Sequence, residues 1–188
     1  MAKETPKDRK TDLIDQILDI ELEWFLSVNP SITSDCQRNP EAFKLVRGSN
    51  FETWSEKTLT LYLDHLHDSQ SQARNLVREK YAKMQKLLPC ENSSLTLNDN
   101  IKIQERWNQE AREKYPSIFR QGNGAGFAWY LRCELDTYSP PVLESYLNDL
   151  RAASREERNL VIETYDRIAR KLGHSSLDEW QRKRGVTG

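Results

Sequence analysis

The sequence carries the same polar pair twice, as Asn75 with Glu79 and as Asn159 with Glu163. Residues four apart lie on one face of a helix, so in each copy the amide and the carboxylate are neighbours at the margin of an apolar stripe. A carboxylate at a core margin needs a partner, and two of them meeting in one place would offer a general acid or base, or hard oxygen ligands. The alternative is structural: capping of a helix, or an ion pair with the arginine that precedes each asparagine.

A third acid, Glu21, lies in the middle of the apolar stripe of the first helical segment, where a solvated carboxylate is not expected. Its counterpart in the second half of the chain is Gln104, which keeps the shape and drops the charge. If Glu21 meets Glu79 and Glu163, the three form a catalytic acidic cluster suited to acid and base chemistry on a small molecule, without an organic cofactor. The alternative is that each acid is a satisfied core group.

Amide and aromatic side chains are candidates to line the pocket around such a cluster. The predicted ligand contacts are Asn75, Asn159, Gln104, Tyr62, Tyr146, Trp24 and Trp107. Aromatic residues at helical spacing are equally typical of a core, which is the competing interpretation for the tyrosines and tryptophans.

Neither a metal nor a cofactor is expected. A carboxylate-bridged two-metal bundle uses Glu-x-x-His motifs, and His65, His67 and His174 complete none. The glycine run at 121–127 lacks the preceding strand and the following Lys-Ser/Thr of a phosphate loop, so it is interpreted as a link into the next helix. Cys36 has no neighbouring histidine that would activate it as a nucleophile.

These residues recur because the chain repeats itself. An offset of 84 aligns residues 43–84 with residues 127–168, and 13 of the 42 positions are identical. An offset of 83 places Trp24 on Trp107 and Glu21 on Gln104. Two copies that cannot each bury an apolar face alone are expected to pack against one another.

Apolar residues recur at spacings of three and four in both copies, and no alternating strand pattern competes. The predicted fold is therefore all-α, a single compact domain of about eight helices built from two pseudo-symmetric repeats. Ser55 and Ser139 are predicted to cap the third helix of each copy. Ser69 and Ser154, each followed three residues later by Gln or Glu, are predicted to cap the fourth.

Five segments follow from this pattern. They are a disordered polar tail 1–11, the first repeat 12–88, a linker 89–100, the second repeat 101–176 and a C-terminal tail 177–188. The linker is placed there because this stretch is polar and rich in turn residues.

The net charge is −1 and 30% of the residues are charged, with both signs interspersed. This balance does not favour binding to nucleic acid or to an anionic membrane. No apolar run approaches a membrane span, and three widely spaced cysteines do not suggest a disulfide framework. We expect a soluble cytoplasmic protein whose partner is a small molecule or another protein.

Four stretches, CQRNPEAFKLVRGSNFETW, RNLVREKYAKM, ELDTYSPPVLESYLNDL and RNLVIETY, resemble a helical domain family of unknown function. The resemblance extends from about residue 12 to residue 180. It implies a family found in bacteria and some eukaryotes, with some members joined to a nucleotidyltransferase-like domain.

Two functions fit these residues. The first is a small-molecule enzyme or ligand-binding protein with a polar, carboxylate-containing pocket between the repeats. The second is a non-catalytic helical interaction module that accompanies a nucleotidyltransferase-like or other enzyme.

Overall fold

Amphipathic helices joined by short turns build the structure, a computed structural model that describes residues 8–28, 39–119 and 124–186. Helices in these residues are α1 (Arg9–Leu26), α2 (Pro40–Phe51), α3 (Glu56–Ser71), α4 (Leu76–Met84), α5 (Leu95–Lys114), α6 (Gly124–Leu135), α7 (Pro140–Arg155), α8 (Leu160–Lys171) and α9 (Leu177–Val186). The described residues form one compact domain without a β-strand, so the all-α prediction is confirmed.

Most of these helices begin after a residue whose side-chain oxygen accepts a hydrogen bond from a backbone N–H of the first turn. Ser55 accepts a hydrogen bond from the backbone N–H of Thr58 at the start of α3. Ser139 lies at the corresponding N-cap position before α7, where Pro140 occupies the first helical position, but its side chain makes no capping hydrogen bond. These two boundaries agree with the prediction, because both depend on local chemistry.

The predicted starts of α4 and α8 are wrong. Ser69 and Ser154 do not begin helices, because α3 and α7 continue past them. Helix α4 is capped instead by Asn75 and helix α8 by Asn159, after turn residues with positive φ. The side-chain oxygen of each asparagine accepts a hydrogen bond from the helix that it caps, and its side-chain amide donates one to a carbonyl of a neighbouring helix. These two bonds explain why the helices begin after the asparagines and not after the serines.

Three predicted segments contain more helix than expected. The first is the tail 1–11, because α1 begins at Arg9. Helix α5 begins at Leu95, capped by Ser94, so residues 95–100 of the expected linker are its first turns. Leu97 is fully buried there, which explains why the polar stretch becomes helical. Helix α9 occupies most of the expected C-terminal tail, and its first residue, Leu177, is buried against the domain.

The helices contact one another in a matched pattern. Helix α1 packs on α2, α3 and α4, and helix α5 packs on α6, α7 and α8. Between the halves, α2 contacts α8, α4 contacts α6, and α3 contacts α7. Exchanging α1 with α5, α2 with α6, α3 with α7 and α4 with α8 leaves this set of contacts unchanged. A common origin of the two halves stays a prediction.

Aromatic residues fill the centre where α3 and α7 meet. The ring of Trp54 lies 4.5 Å from that of Tyr146, and the ring of Tyr62 lies 4.9 Å from that of Tyr138. All four are almost fully buried. This aromatic centre supports the side chains that line the candidate site.

Candidate functional site

Glu21 is a buried carboxylate on α1, with 2% of its surface exposed. The guanidinium of Arg47, on α2, binds it in a bidentate manner, with Nε 2.7 Å from Oε2. The phenol of Tyr62, on α3, donates to Oε1 at 2.7 Å. Three helices of the first half therefore hold this carboxylate in one orientation.

Arg47 also reaches the second half of the chain. Its Nη1 donates to Oε1 of Glu134, on α6, at 2.6 Å. Lys80, on α4, donates to the other oxygen of Glu134 at 3.0 Å and to the phenol of Tyr130 at 2.6 Å. We call Glu21, Arg47, Lys80 and Glu134 the charged network.

The formal charges of the network cancel, and the network fixes the protonation of Glu134 and Lys80. Burial alone would raise the pKa of the Glu134 carboxyl, but Arg47 and Lys80 outweigh it and hold that pKa well below its usual range. Burial would lower the pKa of Lys80, but Glu134 and Tyr130 raise it. Glu134 and Lys80 are therefore both charged at neutral pH.

The tyrosines around the network are held in the neutral form. Burial raises the pKa of Tyr62, and the carboxylate of Glu21 raises it further. Burial and the carboxylate of Glu134 do the same to the pKa of Tyr138, which donates to Glu134 Oε1 at 2.9 Å. Both phenols are thus hydrogen-bond donors at neutral pH.

The cations of the network keep unused donors. A guanidinium has five N–H groups, and those of Arg47 make three hydrogen bonds within the described residues. An ammonium has three, and that of Lys80 makes two. Both side chains are slightly exposed, by 14% and 12%, so the remaining N–H groups are available to an acceptor that enters beside them.

A cavity of about 290 Å³ opens on the charged network. Its other walls are apolar or aromatic and include Phe25, Phe43, Val77 and Tyr81. The lining comes from helices α1 to α4 and from α6, so this charged cavity lies where the two halves meet. Polar groups at one end and aromatic walls elsewhere are typical of a ligand site.

A second cavity, of about 170 Å³, shares the Arg47–Glu134 pair with the charged cavity, along with Val46, Tyr130 and Tyr138. It contains Gln104 and Tyr146, whose phenol donates to the Gln104 carbonyl at 3.1 Å. The predicted polar residues are therefore divided: Glu21 and Tyr62 line the charged cavity, while Gln104 and Tyr146 line the second.

The remaining predicted residues lie elsewhere. Trp24 and Trp107 are buried in the core and line neither cavity. Their backbone carbonyls accept hydrogen bonds from the side-chain amides of Asn75, at 3.3 Å, and Asn159, at 3.0 Å. Each asparagine thus ties the start of one helix to the end or the middle of another.

Glu79 and Glu163 form local ion pairs. Arg74 donates to both oxygens of Glu79 at 2.9 and 2.7 Å, and Arg158 donates to both oxygens of Glu163 at 2.7 and 2.9 Å. About a quarter of each glutamate side chain is exposed, and neither residue lines the charged or the second cavity. These contacts are those of the structural alternative, capping and ion pairing.

Sequence reasoning did not select Arg47, Lys80 and Glu134. A signal for them exists in the repeat, since the 84-residue offset places Arg47 on Leu131, Lys80 on Thr164 and Asn50 on Glu134. Together with Glu21 and Gln104, these are four places where one copy is charged and the other is not. All four charged members converge in the structure. The same offset also pairs charged with uncharged residues elsewhere, such as Lys44 with Ala128 and Arg78 with Ile162, so a difference in charge does not by itself mark the site.

No group of three or more His, Cys, Asp or Glu comes together as a metal site within the described ranges. Cys90 and Cys133, far apart in the sequence, lie with their sulfur atoms 3.9 Å apart. Cys36 and the first three residues of the glycine run, 121–123, fall outside the described residues, while α6 begins at Gly124, still within that run. None of the helices in the described residues combines the length and apolar character needed to cross a bilayer.

Residues 11–182 match a family model described as "Protein of unknown function (DUF4125)". The match includes both halves and every member of the charged network. No curated protein and no solved structure matches the chain.

Proposed function

The chain belongs to this DUF4125 family of proteins of unknown function, and for this member we propose that the charged cavity binds a small molecule. The ligand is a molecule without net charge that has a flat or apolar body and oxygen or nitrogen acceptor atoms at one edge. The observation that carries the proposal is the charged network at one end of the cavity, with N–H groups of Arg47 and Lys80 left over after their bonds to Glu21 and Glu134.

The unused donors define the polar edge of the ligand. A carbonyl or ring nitrogen placed beside Arg47 and Lys80 accepts charge-assisted hydrogen bonds, which are stronger than neutral ones. A ligand with net charge is disfavoured because the four network charges already cancel, and a buried uncompensated charge is costly.

The aromatic walls define its body. Phe25 and Phe43 are stacked with ring centroids 4.7 Å apart, and Tyr81 lies near them. A flat ring system gains apolar contact with these faces as it leaves water. At about 290 Å³ the cavity is at the small end of ligand sites, which restricts the ligand to one or two fused rings.

The electrostatics favour binding over proton transfer. A general acid or base works best when its pKa is near the working pH. The pKa of Glu134 is held well below that range, and the pKa values of Tyr62 and Tyr138 are held well above it. Glu21 therefore acts in this proposal as the anchor that orients Arg47, and the predicted catalytic roles of Glu79 and Glu163 are not required.

A screen of uncharged heteroaromatic fragments by ligand-observed NMR tests the proposal. Fragments that bind the wild type should lose binding in Lys80→Met, which removes donors, and in Val77→Trp, which fills the cavity. Lys44→Met, which removes a surface ion pair with Asp19, is the matched control and should bind as the wild type does. Absence of any binder, or equal binding by all three variants, refutes the proposal.

A second candidate is the interaction module. The side chains of Leu95 and Trp129 are 82% and 37% exposed, and both line one shallow depression formed by α5 and α6. Exposed apolar patches commonly mark protein contacts. If the resemblance to proteins joined to a nucleotidyltransferase-like domain extends to this chain, such a domain is the partner.

Size-exclusion chromatography with the nucleotidyltransferase-like domain of a fused relative, expressed as a separate chain, tests this second candidate. Co-elution that is lost in Leu95→Glu and retained in Leu172→Glu supports it, since Leu172 is an exposed apolar residue at the C-terminal end of α8. Separate elution of the two wild-type proteins refutes it.

A further inference from the structure

The two cavities are built from corresponding positions of the two halves. In addition to the four pairs that differ in charge, the 84-residue offset pairs Phe43 with Phe127, Val77 with Val161 and Tyr81 with Tyr165. The first-half residue of each of these three pairs lines the charged cavity, and its partner lines the second cavity. The aromatic and apolar walls are therefore retained, while the polar end changes.

The change at the polar end is consistent. The charged residues Glu21, Arg47, Lys80 and Glu134 have the uncharged counterparts Gln104, Leu131, Thr164 and Asn50, and all four counterparts line the second cavity. The charges that this cavity does meet are those of the shared Arg47–Glu134 pair, which already compensate each other. A charged ligand would thus find no free opposite charge there.

The second cavity also contains polar groups without partners. The indole N–H of Trp54 is buried and faces the phenol of Tyr146 without a hydrogen bond of good geometry, and Trp54 is 2% exposed. The side-chain amide of Asn50, which is half-buried, makes no hydrogen bond within the described residues. A buried donor without an acceptor is destabilising, so a ligand that supplies an acceptor to it gains affinity.

We infer that the second cavity is a separate binding site for an uncharged, single-ring molecule that carries a carbonyl or amide group. Its volume of about 170 Å³ is close to the roughly 150 Å³ that suffices for a benzene-sized guest. The carbonyl accepts from Trp54, the amide pairs with Asn50, and the ring packs among Phe127, Tyr165 and Ile168. This inference does not require a ligand in the charged cavity.

Benzamide is a suitable probe, with benzoate as the charged molecule of the same shape. Titration into nitrogen-15-labelled protein is followed at the indole N–H signal of Trp54, assigned by its loss in Trp54→Phe. Benzamide should move this signal downfield in a saturable manner as the N–H gains an acceptor, and benzoate should not move it. A signal that stays in place up to millimolar benzamide, or that responds equally to benzoate, overturns the inference.

Two variants locate the probe. Asn50→Leu removes the amide partner at a half-buried position and should weaken benzamide binding by about tenfold, the loss expected for one or two hydrogen bonds. Val77→Trp, which fills the charged cavity at a residue that does not line the second cavity, should leave benzamide binding unchanged. If the charged-cavity variant weakens benzamide binding and Asn50→Leu does not, the probe lies in the charged cavity and a separate site is refuted. If benzamide binds while no fragment binds in the charged cavity, only the proposed function is refuted.

Discussion

Arg47 Nη1 lies 2.6 Å from Glu134 Oε1, and this ion pair joins the second helix of the first half to the second helix of the other half. Both side chains are largely buried, with 14% and 10% of their surfaces exposed. Since Arg47 also binds Glu21, one guanidinium compensates two buried carboxylates. The stability of the domain and the shape of both cavities depend on this residue.

Replacing Arg47 by methionine should strongly destabilise the domain. The substitution leaves the carboxylates of Glu21 and Glu134 without their main counter-charge, and removal of one partner of a buried ion pair typically costs about 3–5 kcal/mol. Urea denaturation followed by circular dichroism measures this loss. Arg106→Met, which removes an exposed pair with Glu110, should cost no more than about 1 kcal/mol, and an equal effect of the two variants would contradict the prediction.

Replacing the whole network by its counterparts should cost less than removing one member. The variant Glu21→Gln, Arg47→Leu, Lys80→Thr, Glu134→Asn carries the uncharged set that lines the second cavity, so no uncompensated charge remains buried. We expect its urea midpoint to lie above that of Arg47→Leu alone. Additive losses from the four substitutions would show that the two halves are not equivalent in packing.

Loss of an asparagine cap should be moderately destabilising and should not alter ligand binding. Asn75→Ala removes the acceptor for the N–H of Arg78 and the donor to the Trp24 carbonyl, and cap removal costs about 0.5–2 kcal/mol. Asn75→Asp keeps the acceptor and should recover part of the loss. Thermal unfolding measures both variants, and Asn159→Ala should behave like Asn75→Ala because it caps α8 in the same way.

Stability should fall with pH on the acid side, in part because of Glu134. The pKa of this carboxyl is lowered in the folded state, so its contribution is fully present above the unfolded value of about 4.3 and is lost as the pH falls toward the folded value. Free energies of unfolding measured between about pH 6 and pH 3 should decline in the wild type. Glu134→Gln should show a shallower decline, and parallel curves would contradict the assignment.

Cys133 should react slowly with alkylating reagents in the folded protein. Its side chain is fully buried, and burial, together with the neighbouring thiol of Cys90, raises the pKa of Cys133 to about 12. Because the thiolate is the reactive form, iodoacetamide at about pH 8 should modify Cys133 far more slowly than in urea-unfolded protein. Peptide mass spectrometry with time reports the rate, and equal rates in both states would show that this core opens readily.

Sequence reasoning identified the helices and one member of the site. Periodicity and caps act over three or four residues, so the helical class and the starts of α3 and α7 follow from local chemistry. Glu21 stands out for the same reason, since a carboxylate within an apolar stripe must be buried and must have a partner. The offset between the copies also pairs the residues that line the two cavities.

The choice of partners belongs to the tertiary structure. Arg47 lies 26 residues from Glu21 and 87 from Glu134, and these separations carry no periodic signal along the chain. Glu79 and Glu163 occupy corresponding positions in the two copies, as a site shared between the copies would require. Each carboxylate is instead paired with the arginine five residues before it. The packing of α4 against α6, and the reach of Arg47 from α2 to Glu134 on α6, decide which charges meet. Electrostatic partners are selected by distance in space and by shared burial, which only the assembled helices define.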